Sequence, residues 1–279
     1  MLEEYTLQEF IDAERNILKY LAPPTLTVND YPQCFFIVGQ PGAGKSTLAN
    51  IFTGYLGGDV VFISGDDYRK YHPHYIKLQE EYGDDAVLHT QKFAGAMTEE
   101  LISDLSNKKY NLIIEGTLRT VEVPVDTKNL LHRKGYDSTL AAILVRPEVS
   151  YLSTIKRYAM MKEFGTVPRQ TPKEHHDLVV SSIVKNLDTI FRNKSFDNIQ
   201  IYTRDSKRIY DSKETPFINP ARIFSDEFCR SLSTKEQDVI IQDYKDYVPR
   251  YEIIKIMEQY SKQAQNFQFV DTRERLFSR

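Results

Sequence analysis

Apolar residues near the start of the chain recur with a helical period. Across residues 6–21, Leu7, Phe10, Ile11, Ile17, Leu18 and Leu21 share one face, and Pro23-Pro24 then stops the helix. From there the pattern changes to short, unbroken apolar runs at 34–38, 60–63, 110–114, 140–145 and 199–202. Runs of this length read as buried strands. Between them lie helical stretches around 47–54, over 84–107 and ahead of Gly135, a suitable C-terminal cap. Thr171-Pro172-Lys173-Glu174 reads as a capping box with proline at the first helical position. The helix it opens carries Leu178, Val179, Ile183, Leu187 and Ile190 on its apolar side. Strands alternating with helices predict an α/β fold, a parallel sheet covered on both faces. Beyond about 213 the alternation ends, and 233–263 hold apolar spacings of peripheral helices. No linker divides the chain. The expectation is a single domain over 1–279, with its core at about 34–205, a peripheral helix at 6–21 and C-terminal helices after about 213.

Composition narrows the class only slightly. Lys and Arg number 36 against 39 Asp and Glu, so no basic field argues for a nucleic-acid partner. The two cysteines, Cys34 and Cys229, form no disulfide framework and no zinc-type spacing, which suits a reducing cytoplasm. Cys34 falls inside an apolar run and reads as a small core residue. The acidic start, Met1-Leu-Glu-Glu-Tyr5, is unlike a signal peptide. No apolar run approaches the roughly 18–20 residues that span a bilayer, so no membrane partner is expected.

One turn between strand and helix carries chemistry. Gly39-Gln40-Pro41-Gly42-Ala43-Gly44-Lys45-Ser46 matches the phosphate-loop pattern in full, and Thr47 continues it into a helix. Glycines let backbone N–H groups curl around a phosphate, and the helix N-terminus adds positive dipole. Lys45 reaches the β- and γ-phosphates in such loops, and Ser46 is the expected Mg²⁺ ligand. ATP or GTP together with Mg²⁺ are therefore the expected cofactors, and the fold class sharpens to a P-loop kinase-like sheet.

In open parallel sheets, ligands gather beyond the carboxyl ends of the strands. Three such ends here are reactive: the phosphate loop, Asp66-Asp67 after the second run, and Glu115 after the third. Phosphoryl transfer needs a metal, cations around the group in flight and a base for the attacking hydroxyl. Asp66 is the base candidate, and Arg157 and Arg169 are candidates to clamp the phosphates. Residue types and spacing alone stop at a P-loop enzyme of the phosphotransferase class.

A resemblance extends this. GQPGAGKSTL at 39–48, DDYRKYHP at 66–73, MTEELIS at 97–103 and YNLIIEGTLRT at 110–120 occur in an order similar to that of the zeta toxins, kinase components of toxin–antitoxin modules. VPVDT at 123–127, IKRY at 155–158, PRQTPKEHHDLVV at 168–180 and ETPFINP at 214–220 continue the likeness. The resemblance implies a kinase acting on the 3′-hydroxyl of the amino sugar of UDP-N-acetylglucosamine, blocking cell-wall precursor synthesis. It implies Lys45 and Ser46 as the ATP and Mg²⁺ residues, Asp66 as the catalytic carboxylate, and Arg157 and Arg169 as the phosphate-contacting arginines. It places Glu99, Glu115, Thr117, Arg119 and Thr127 at the nucleotide sugar. It also implies a small helical antitoxin that obstructs the ATP site.

Two positions depart from the family pattern. Asp67 stands where a threonine is expected, and Leu118 where a glycine is expected, next to the proposed sugar residues. Two rival readings stay open: a P-loop kinase of another small metabolite or nucleotide, and a regulatory NTP-binding module without catalysis.

Overall fold

A computed structural model describes residues 2–165 and 170–269. Helix α1 (Leu7–Leu21) starts at a true capping box, in which Thr6 accepts from the Glu9 amide and Glu9 accepts from the Thr6 amide. Strand β1 (Gln33–Val38) runs through the phosphate loop into α2 (Lys45–Tyr55), and β2 (Val61–Ile63) follows. Four helices come next: α3 (Gly65–Tyr68), α4 (Tyr75–Tyr82), α5 (Ala86–His89) and α6 (Gln91–Asn107). The stretch expected to be helical over 84–107 is so in three pieces: a 3-10 turn over Gly83–Asp85, then α5 and α6, which meet at Thr90. Thr90, fully buried at the joint, donates its hydroxyl to the Ala86 carbonyl.

Strand β3 (Leu112–Gly116), α7 (Glu122–Arg133), β4 (Asp137–Leu144), α8 (Pro147–Glu163), α9 (Lys173–Arg192) and β5 (Asn198–Thr203) complete the alternation. Gly135, at φ +84, closes the turn after α7 as expected. The capping box at 171–174 does not form. Pro172 is the N-cap of α9, and the Thr171 hydroxyl instead accepts from Arg157. Leu7, the first residue of α1, and Leu178, in the second turn of α9, stay exposed rather than joining the apolar side. The last elements are β6 (Arg208–Asp211), α10 (Pro220–Cys229), α11 (Thr234–Tyr244) and α12 (Arg250–Gln263).

The sheet order is β2-β3-β1-β4-β5-β6, parallel throughout except for β6, which runs antiparallel to β5. β6 escaped the sequence pattern because it is a short edge strand, buried only at Tyr210 and Asp211. Strand β1 sits mid-sheet and feeds two cores. Cys34, Phe36 and Val38 join one with α6, α9 and α10; Phe35 and Ile37 join the other with Leu48, Ala49 and Phe52 of α2. Cys34 is indeed a core residue, and burial pushes its thiol well above the usual range. A third cluster sets Leu152 of α8 against Ile240, Ile253 and Met257 of α11 and α12. The C-terminal helices therefore brace the helix that bears Arg157.

Candidate active site

β1 lies between β3 and β4, and the phosphate loop follows its carboxyl end, where open parallel sheets form their ligand crevice. Gly42 and Gly44 adopt φ of +79 and +96, a region that favours glycine. Gly42 has a second constraint: a Cβ there would lie 2.1 Å from the Ser150 carbonyl oxygen of α8. Gln40 is fully buried and donates to the Val145 carbonyl at 2.6 Å, tying the loop to the end of β4. Ala43 is buried beneath the turn, while Gly39 and Pro41 flank it. Ser46 and Thr47 stand exposed on the first turn of α2, where a hydroxyl can meet a metal–phosphate pair.

Lys45 is the centre of charge. Its side chain is only 9 % exposed, so it is a buried cation rather than one on a surface loop. Its ammonium donates to the Gly39 and Gln40 carbonyls at 3.0 and 3.3 Å and lies 3.6 Å from Glu115 Oε1. Glu115 arrives there because β3 pairs with β1 in the register that sets Ile37 beside it. Burial lowers the Lys45 ammonium below its ordinary value; Glu115 and Asp66 draw it back up, and Arg157 pushes it down. The charges of Glu115, Asp66 and Arg157 therefore all act on one cation.

Asp66 and Asp67 lie not at a strand end but in the first turn of α3, both exposed. Consecutive helical residues diverge by about 100°, so the backbone does not send the two side chains to opposite faces as a strand would. Asp66 is held by Arg69. Arg69 donates to Asp66 Oδ1 at 2.8 Å and is itself held by the Val87 carbonyl at 2.7 Å and the Thr90 hydroxyl at 3.1 Å. The signal for Arg69 was an i,i+3 acid–base pair on one helical turn.

Arg157 is exposed on α8 and donates to Thr171 at 3.1 Å. Arg169 lies outside the described residues. Arg204, at the end of β5, was missed; a Cβ on Gly44 would lie 3.8 Å from its Cγ. The strand-end rule that flagged Glu115 applies to it equally. Arg157 and Arg204 line a cavity of about 880 Å³ with Lys156, Met160, Phe164 and Tyr244.

On the other side of the crevice, Thr117 is half-buried and Arg119 exposed, just past β3. Arg119 and Asp66 both act electrostatically on His175, which burial holds below its ordinary value. Glu99 is exposed on α6, against which α3 begins, since a Cβ on Gly65 would lie 3.0 Å from Thr98 Oγ1. Thr127 donates to Val123 of its own helix at 2.9 Å. No described interaction joins Glu99 or Thr127 to the group around Lys45.

Leu118 explains its own departure from glycine. Its φ is +59, and its side chain, 3 % exposed, packs into the main core. Asn186 of α9 donates to the Leu118 and Arg119 carbonyls at 2.9 and 2.8 Å. The bulky residue is thus turned into the core, and the turn is held by a side-chain amide.

The model of the zeta toxin family matches residues 22–215. The chain is 45% identical over 214 residues to Toxin PezT of Streptococcus pneumoniae serotype 4, covering 76% of this chain and 84% of that protein. It is 38% identical over 206 residues to Toxin zeta of Enterococcus hirae, covering 74% and 72%. A solved structure of the PezAT chromosomal toxin–antitoxin system of Streptococcus pneumoniae superposes with a TM-score of 0.79 at 38% identity, covering 91% of this chain and 99% of that one. The AvrRxo1-ORF1:-ORF2 complex has a TM-score of 0.53 at 13% identity, covering 97% of this chain and 92% of that one; this likeness speaks for the fold alone.

Proposed function

The chain belongs to the zeta toxin family, and on that premise we propose that it is an ATP-dependent phosphotransferase. The proposed acceptor is the 3′-hydroxyl of the amino sugar of UDP-N-acetylglucosamine, so that the product blocks cell-wall precursor synthesis. Carrying most weight is the Lys45 ammonium, buried inside the phosphate loop and 3.6 Å from Glu115 at the end of the neighbouring strand. A merely structural turn has no use for a desolvated cation in its ring.

Each residue then has a task. Backbone N–H groups of 39–47 and the start of α2 cradle the phosphates. Lys45 moves from the loop carbonyls to the β- and γ-phosphate oxygens, compensating charge as the phosphoryl group leaves. The Ser46 hydroxyl would hold Mg²⁺, which would supply further charge neutralisation. Arg157 and Arg169 take up charge on the transferred group. Asp66, oriented by Arg69, accepts the proton of the attacking hydroxyl. Glu115, Thr117 and Arg119 hold the nucleotide sugar, and Glu99 and Thr127 are assigned there on family likeness. We read 1–279 as one kinase domain, supported by the core that α11 and α12 share with α8.

The solved relative is part of a toxin–antitoxin system. We extend that pairing to this chain, with a small helical antitoxin that obstructs the ATP site. No helix among the described residues is long and apolar enough to cross a membrane.

Incubation with ATP, Mg²⁺ and a panel of UDP-sugars, followed by NMR location of the new phosphate, tests the reading. Phosphorylation of UDP-N-acetylglucosamine at the 3′ position is expected. ADP formed only with an unrelated metabolite removes the sugar assignment and leaves the kinase. Nucleotide binding with no ADP from any acceptor favours the regulatory module.

A further inference from the structure

Behind the phosphate loop, three helices meet at a chain of polar side chains that the mechanism above does not use. His176 of α9 is fully buried, with Ser150 Oγ of α8 at 2.9 Å from Nε2 and the Tyr260 hydroxyl of α12 at 3.0 Å from Nδ1. Tyr260 donates to Asp177 Oδ1 at 2.5 Å, and Asp177 also accepts from Lys173. The Lys173 ammonium lies 5.1 and 4.9 Å from the ring centroids of Tyr151 and Tyr260.

Proton counting gives the chain a direction. Tyr260 has one proton, and the Asp177 carboxylate, held far below its usual range, accepts it. Nδ1–H of His176 therefore donates to the Tyr260 oxygen, which leaves Nε2 to accept from Ser150. Burial keeps the ring neutral, as this tautomer requires. The Ser150 hydroxyl also lies 2.9 Å from the Pro147 carbonyl, and a neutral ring with its proton on Nδ1 selects the histidine.

This chain ends where the phosphate loop rests. A Cβ on Gly42 would lie 2.1 Å from the Ser150 carbonyl oxygen and 3.0 Å from Thr154 Cγ2, so the loop lies flat on α8 at that turn. Arg157 follows Ser150 by two turns, roughly 10 Å along the same helix. The polar chain pins α8 to the first turns of α9. An apolar contact would hold these helices together but tolerate sliding; a directed chain of hydrogen bonds fixes one register.

We propose that His176, with Ser150 and Tyr260, is a positioning residue that sets the register of the Arg157 helix against the phosphate loop. The C-terminal helix α12 thereby becomes part of the transfer scaffold. This inference rests on the phosphotransferase reading. His176 is sealed from solvent and touches no substrate, so its effect must pass through Arg157.

Full-length His176→Phe and Tyr260→Phe proteins, alone and combined with Arg157→Ala, test it by steady-state kinetics with ATP and UDP-N-acetylglucosamine. Tyr260→Phe removes one oxygen and leaves the ring to pack, which guards against a folding failure of the larger change. We expect kcat to fall on the order of tenfold for Tyr260→Phe and on the order of 10²-fold for His176→Phe, with KM for ATP within about twofold. In the Arg157→Ala background both losses should vanish, because the residue being positioned is gone. Unchanged kcat, or losses that simply multiply with that of Arg157→Ala, overturn the proposal. If the wild-type chain transfers no phosphate, the phosphotransferase reading fails, and amide hydrogen exchange decides the rest. Faster exchange over 39–47 in His176→Phe then supports the register role, and unchanged exchange there overturns it.

Discussion

The two sides of the crevice are built by opposite means. On the phosphate-loop side, nine consecutive residues make the site, and what matters is backbone: two glycines at φ +79 and +96, one of them pressed against α8. On the carboxylate side, Asp66, Glu115, Thr117 and Arg119 come from α3, β3 and the turn beyond it, and what matters is where side chains point. Backbone sites are local, so they tolerate almost no substitution and announce themselves as a motif. Side-chain sites are assembled over distance, so single positions can change while the geometry is kept by other means. Leu118 is the example: the turn keeps its left-handed conformation without glycine because Asn186 holds both carbonyls.

The largest effect should come from the carboxylate side. Asp66→Asn keeps the Arg69 contact geometrically possible but cannot accept a hydroxyl proton, so transfer should fall by ~10²–10⁴-fold with nucleotide affinity nearly intact. Asp67→Asn should be mild. Isothermal titration with a non-hydrolysable ATP analogue, alongside turnover, checks the separation. A reversed ranking of the two aspartates would make Asp67 the base and leave the Arg69 pairing without a role in transfer.

Lys45→Ala strikes the loop side and should cost ~10²–10³-fold in transfer, as expected for one electrostatic stabiliser. Because the cation is buried and desolvated, its removal should leave the melting temperature within a few degrees, about what a change of 1 kcal/mol produces. Retained transfer would remove the P-loop reading altogether. A large loss of stability would instead make Lys45 a structural tie to Glu115.

How legible each side was follows from this contrast. The strands, the loop and Glu115 could be read because buried strands and phosphate loops leave contiguous patterns. Arg69 and Arg204 had signals, an i,i+3 pairing and a strand-end position, that were passed over, whereas Asn186 could not be singled out because its partners lie far off in sequence. The joint at Thr90 and the unformed cap at 171–174 share one feature. In both places an arginine from another element donates to the threonine hydroxyl, Arg69 at Thr90 and Arg157 at Thr171, in competition with the local preference. Beyond 213, periodicity found the helices but could not say that they brace α8.

Leu118→Gly sharpens the comparison on stability. It relieves a left-handed conformation worth roughly 1–2 kcal/mol but forfeits a buried leucine, for which truncation costs about 2–5 kcal/mol. The sum should be a destabilisation of about 1–3 kcal/mol in urea unfolding, with transfer changed less than about threefold because the side chain faces the core. A gain in transfer, or a switch in the preferred UDP-sugar, would mean that Leu118 shapes the acceptor pocket after all.

The smallest predicted effect concerns a hydrogen bond between the helix that bears Arg157 and the segment that carries Asp66. Tyr158, next to Arg157 on α8, donates to Asp84 Oδ2 at 2.7 Å, in the turn between α4 and α5. Asp84 belongs to the same excursion of the chain that carries Asp66 and Arg69, so the bond ties the helix that bears Arg157 to the segment of the proposed base. A single exposed-to-half-buried bond of this kind contributes about 0.5–1.5 kcal/mol. Tyr158→Phe removes it and keeps the ring, so the two sides should close less readily around a bound sugar. KM for the acceptor should rise by about two- to tenfold, while KM for ATP stays put, because the phosphate loop does not depend on the closure. Kinetics with each substrate varied in turn reads the split. An equal rise in both constants would mean that the bond organises the whole crevice, and the division between a backbone-built side and a side-chain-built side would not extend to function.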